Sequence, residues 1–110
     1  MSRARNIPIP MGVGVSKDVT ITFDDEPDLT TAYIRLRVKK HFSDTECVLL
    51  KFPDLVKSTD LATGTVVFNF DPADTIDLTA RTYVYEVNIQ IDDEVYVPLL
   101  GDFPLYGTFG

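Results

Sequence analysis

His41 and Cys47 are the single histidine and single cysteine of the chain. The five residues between them, Phe42 to Glu46, can bring imidazole and thiol together across the mouth of a hairpin. A Cys–His nucleophile pair needs that proximity. It also needs a pocket and a set of oxyanion donors, and the sequence offers no Gly-rich nucleophile turn to supply them. One His and one Cys likewise fall short of a zinc site or a disulfide framework. Two acidic clusters, Asp24-Asp25-Glu26 with Asp28 and Asp92-Asp93-Glu94, can gather carboxylate oxygens of the kind calcium takes, but neither follows the EF-hand spacing. Turn aspartates of this sort ordinarily hydrogen-bond the nearby backbone. Gly12-Val13-Gly14 begins like a dinucleotide fingerprint, yet it lacks the third glycine and follows prolines, so a bulge or a relief of crowding is the simpler reading. The expectation is a protein without catalytic residues, bound metal or cofactor.

Recognition chemistry is better represented. From Tyr33 to Lys39 a strand would carry Tyr33, Arg35, Arg37 and Lys39 on one face, a basic stripe with an aromatic at its end. Tyr and Arg are enriched among residues that dominate protein interfaces. Glu86, Asn88 and Gln90 form a polar stripe on another segment, and cross-strand ion pairs follow if the two are neighbours. The ordinary reading of such a face is a solvated sheet surface. The functional reading is a docking surface, in which charge reversal at Arg35 and Arg37 weakens association and leaves the melting temperature unchanged. A second candidate is the N-terminal arm, Ser2 to Asn6, whose Arg3 and Arg5 lead into the extended Ile7-Pro8-Ile9-Pro10. Such an arm can add a strand to a neighbour's open edge, or simply fray. The formal charge of −7 opposes phosphate-backbone binding, so nucleic acid is not an expected partner.

These side chains must be positioned by strands. With 110 residues, 45% hydrophobic and 25% charged, the chain has the size and mixture of one globular domain. Apolar residues recur with period two in segments rich in Val, Ile, Thr, Tyr and Phe. Strands are predicted at 19–23, 33–40, 47–52, 65–70, 82–92 and 95–100, with a last piece at 103–106. The segments 82–92 and 95–100 form a hairpin about the polar 92–94 turn. The register of 47–52 stays open. Pro98 and Pro104 put the C-terminal portion at a sheet edge or in bulges. Ile34, Leu36, Phe68, Phe70, Tyr85 and Val87 should be core. One helical turn is plausible near 71–75 and another at 55–61. Tyr83 and Tyr85 beside Phe68 and Phe70 can be read as a stacking platform, but their alternation with Val87 and Ile89 favours burial. Residues 1–6 form a free arm and residues 7–110 the domain. Pro8, Pro10, Gly12 and Gly14 break the apolar start as a signal peptide. No apolar run approaches the roughly 18 residues of a membrane span, so no membrane partner is expected. Short strands at regular spacing describe an all-β, immunoglobulin-like antiparallel β-sandwich, with a small barrel as the alternative.

Two stretches read together carry a resemblance. Val19 to Phe23 is followed by Asp28 to Lys40, and Thr63 to Phe68 by Asp71-Pro72-Ala73-Asp74 and Thr82 to Glu86. This order resembles the immunoglobulin-like domain at the N-terminus of tailed-bacteriophage baseplate upper proteins and of small related virion proteins, over roughly residues 7 to 106. The resemblance implies a non-enzymatic module of the virion that is made in the bacterial cytoplasm and docks onto other virion proteins in a tail, baseplate or head-associated position. It also implies multiple copies or a homo-oligomer. Larger members continue into further modules, so an accessory role is expected here. The alternative function is a carbohydrate-binding or host-adhesion module.

Overall fold

The computed structural model describes residues 8–23 and 28–107, with the backbone alone at 96–98. The arm residues Arg3 and Arg5 and the acidic Asp24-Asp25-Glu26 lie outside the described residues. The chain is all-β, and its strands are β1 (Met11–Gly12), β2 (Lys17–Thr22), β3 (Tyr33–Lys39), β4 (Leu49–Lys51), β5 (Thr65–Phe70), β6 (Arg81–Ile91) and β7 (Glu94–Tyr106). Among the described residues one short helix, α1 (Pro72–Thr75), and a 3-10 turn at Leu61–Thr63 complete the elements. A five-stranded sheet in the order β1-β7-β6-β3-β4 faces a two-stranded sheet of β2 and β5. The chain crosses between the layers from β1 to β2, from β2 to β3, from β4 to β5 and from β5 to β6.

Alternation explains this arrangement strand by strand. On β3, Ile34, Leu36 and Val38 are buried; on β6, Tyr83, Tyr85, Val87 and Ile89; on β5, Val66, Phe68 and Phe70. These inward rows meet Val19 and Ile21 of β2 and Phe103 of β7 in one continuous core. The six residues named above as core are all at 4% exposure or less. The aromatic platform reading fails with them, because Tyr83, Tyr85, Phe68 and Phe70 are core. Burial also pushes the Tyr85 phenol up to about 12, because a phenolate is costly away from water.

β6 and β7 turn about Asp92 and Asp93, with Ile91 opposite Glu94. Asp92 sits in the left-handed region at φ 55°, as a two-residue hairpin loop demands. β7 runs on without a break through 103–106, because a bulge opposite Asn88 absorbs Pro98. A lone parallel pairing, Met11 with Leu105 and Gly12 with Tyr106, makes the larger sheet mixed rather than purely antiparallel. Near the start of β6, the Tyr83 hydroxyl donates to the Thr79 carbonyl at 2.8 Å. A strand-initial Tyr that bonds back to the preceding loop in this way has the geometry of a tyrosine corner. Proline at its first position starts α1, and the Asp71 N–H donates back to Asp74 Oδ2 at 2.8 Å. At 55–61 a single turn closes about Asp54, whose carbonyl accepts from the Ser58 N–H at 2.8 Å and whose Oδ1 accepts from the Val56 and Lys57 N–H groups.

Candidate docking face

β3 lies against β6 with Tyr33 opposite Gln90, Arg35 opposite Asn88 and Arg37 opposite Glu86. The two stripes read from the sequence are therefore neighbours on the outer face of the five-stranded sheet. They are joined as cross-strand chemistry requires. Lys39 Nζ lies 2.8 Å from Glu86 Oε1, and Arg37 Nη1 lies 3.4 Å from the same oxygen. One carboxylate serves two cations.

The stripe is not uniformly open. Tyr33 is 51% exposed, whereas Lys39 is 5% exposed. Lys39 is thus a buried ion-pair member and not part of an accessible basic surface. The 41–47 connection lies over this end of the face, where the Thr45 carbonyl accepts from Arg37 Nη2 at 2.8 Å. Arg37 is consequently half-buried and committed to two partners, and charge reversal there would set a second carboxylate against Glu86. The expectation that reversal at Arg37 is silent for stability is corrected accordingly. At the centre, Arg35 Nε and Asn88 Oδ1 are buried polar atoms without partners among the described residues, one a donor and one an acceptor. The Arg35 guanidinium carbon lies 5.6 Å from the Tyr33 ring centroid, within cation–π range.

The open end of the face is aromatic and aliphatic. Tyr33 and Phe52 meet edge to face, centroids 5.9 Å apart at 60°. Leu50, opposite Arg37 in register, is exposed on the same face of the sheet. Beyond Pro53, the Asp54 turn holds Leu55 at 72% and Val56 at 89% exposure. Large apolar side chains fixed in water in this way mark interaction surfaces when they cluster. The sequence reading missed Leu50, Phe52, Leu55 and Val56. In Val48-Leu49-Leu50-Lys51-Phe52 apolar residues occupy both parities, so alternation could not say which side faced out. The Pro53-Asp54 turn signal was the available clue that the following apolar pair would stand proud.

The chemical alternatives find little geometry. His41 is exposed and Cys47 half-buried, and no hydrogen bond joins them. Instead the His41 N–H donates to Asp44 Oδ2 in a local turn. Among the described residues, no three His, Cys, Asp or Glu side chains converge as a metal site would require. Asp28 Oδ1 accepts from the Thr30 N–H and hydroxyl, which holds its carboxyl below the ordinary value. Gly14 lies at φ 70° and donates its N–H to Thr75 Oγ1 at 2.9 Å, a structural role in the turn between β1 and β2. Among the described residues no helix is long and apolar enough to cross a membrane. No protein-family model matches the chain, and no curated protein matches it.

Proposed function

We propose that this chain is a non-enzymatic attachment module of a tailed-bacteriophage particle, present in multiple copies and docked on other virion proteins. The reading joins the sequence resemblance to one structural observation. The outer sheet face carries a Tyr33–Phe52 ring pair, the Arg35 guanidinium and exposed Leu50 together. That is the composition of an interface centre, aromatic and Arg anchors with an aliphatic surround. The edge-to-face rings do not make the flat platform on which a sugar face stacks, so protein is the favoured partner over carbohydrate. The net charge of −7 similarly disfavours nucleic acid.

Particles purified from the lysate that produces the chain should contain it in a fixed multiple-copy ratio to the major structural proteins, measured by digestion and mass spectrometry. A chain that remains wholly in the soluble fraction, with particles devoid of it, overturns the reading.

A further inference from the structure

A sandwich of two open sheets has four outer edges, and three of them here are blunted. The β1 edge begins in Pro8 and Pro10, which have no N–H to offer. The β4 edge is three residues long and ends near Pro53. The β5 edge is capped by the Asp54 turn: the Asp54 N–H donates to the Val67 carbonyl at 2.8 Å, and the Val67 N–H donates to Ser58 Oγ at 2.9 Å. These are the devices by which sheet proteins suppress unwanted pairing.

The β2 edge has none of them. Val67 sends its N–H and carbonyl to the 54–58 turn and stands opposite Thr20. The pair is therefore a non-hydrogen-bonded one, and Thr20 likewise points its N–H and carbonyl away from β5. By alternation Asp18 and Thr22 do the same. The odd-numbered set faces β5, as the Phe23 N–H donating to the Gly64 carbonyl at 3.0 Å shows. Among the described residues β2 pairs with β5 alone. Its outward side borders a cleft of about 440 Å³ that is also lined by Pro8, Ile9, Pro10, Tyr85 and Leu99. Lys17 Nζ bridges one end to the Pro10 carbonyl at 2.8 Å.

We propose that the outward edge of β2 is a strand-acceptor site, filled by the N-terminal arm, residues 1–7, of a second copy of this chain. This rests on the repeated-copy part of the proposed function and supplies its device. Length fits: seven extended residues reach about 23 Å at ~3.3 Å each, and β2 has six residues. Charge fits as well. The arm holds two of the 10 Lys and Arg and none of the 17 Asp and Glu, leaving the remainder of the chain with eight against 17. Arms repel one another and are drawn to bodies. The same chain's arm is a poorer match, because Ile9 donates its N–H to the Asp102 carbonyl at 2.9 Å and commits that segment to the other sheet.

The test uses two variants of the chain. Thr20→Pro keeps the arm and removes the central outward donor; because that N–H faces away from β5, the substitution costs no ladder bond. Deletion of residues 2–7 keeps the edge and removes the arm. The native chain should elute at a multiple of 12.3 kDa, each variant alone as a monomer with a native-like melt, and their mixture as a one-to-one complex. If Thr20→Pro does not melt like the native chain, Thr22→Pro takes its place on the same outward set. A native monomer, or a mixture that stays monomeric while both variants are folded, overturns the proposal. Particles that contain the chain alongside a monomeric mixture discard the strand exchange and keep the attachment role; a complex that forms for a chain absent from particles does the reverse.

Discussion

Glu86 shows how far a single side chain decides what the surface can do. It holds Lys39 at 2.8 Å in a buried position and Arg37 at 3.4 Å in a half-exposed one. The two cations are therefore not equivalent. Truncating Lys39 strands a buried charged hydrogen bond, and Lys39→Ala should lower unfolding free energy by about 1–3 kcal/mol. Arg37→Ala removes a longer contact to Glu86 and an exposed hydrogen bond to the Thr45 carbonyl, and should cost about 0.5–1.5 kcal/mol. Urea melts of the two variants check the order, and equal losses would contradict it. Asp18 offers a pH reading. Its carboxyl accepts from Asn69 Nδ2 at 2.7 Å and from Lys57 Nζ at 2.9 Å, and these hydrogen bonds, that from Asn69 foremost, hold it below the ordinary 3.8. A depressed folded value means that the contribution is present above the unfolded value and is lost as pH falls through the folded one. Native chain and Asp18→Asn should thus differ in melting temperature at neutral pH and converge in acid. An Asp18 resonance that titrates above 3.8 would refute this.

Among the elements, the strands that alternate cleanly were legible in the sequence. β3, β5 and β6 place their inward rows where period two puts them, because each has one apolar parity against a polar one. β4 was not, since both its parities are apolar. The parallel pairing of β1 was equally hidden, because two residues carry no pattern. The single helical turn expected at 55–61 closes at 54–58, where the Ser58 N–H donates to the Asp54 carbonyl, and its function is that of a missing strand. Ser58 Oγ accepts from the Val67 N–H at 2.9 Å and lies 3.2 Å from the Val67 carbonyl, replacing a ladder neighbour with one hydroxyl. Ser58→Ala should therefore cost about 1–3 kcal/mol, the penalty for a buried amide left without its acceptor. It should also raise hydrogen exchange at Val67 selectively. A variant as stable as the native chain, with Val67 still protected, would mean that the edge is capped by something other than this side chain.

For the molecule as a whole, alternation predicts which side of a strand is wet in isolation but not what lies over that side. Coverage depends on partners from other elements, so Lys39 read as exposed is buried with Glu86 of β6, while Leu50 and Phe52 stand out in water. The candidate site was thus half legible: Tyr33 and Arg35 were in the sequence, and the apolar margin that makes them a docking centre was not. The proposed attachment surface is that outer face, and one comparison tests it most directly. Tyr33→Ala combined with Phe52→Ala removes two half-exposed rings that meet each other at the surface, and surface changes of this kind leave stability within about 0.5 kcal/mol. Incorporation of this double variant into particles, measured against the native chain by mass spectrometry, should fall at least tenfold with the melting temperature unchanged. Equal incorporation at equal stability would contradict the account.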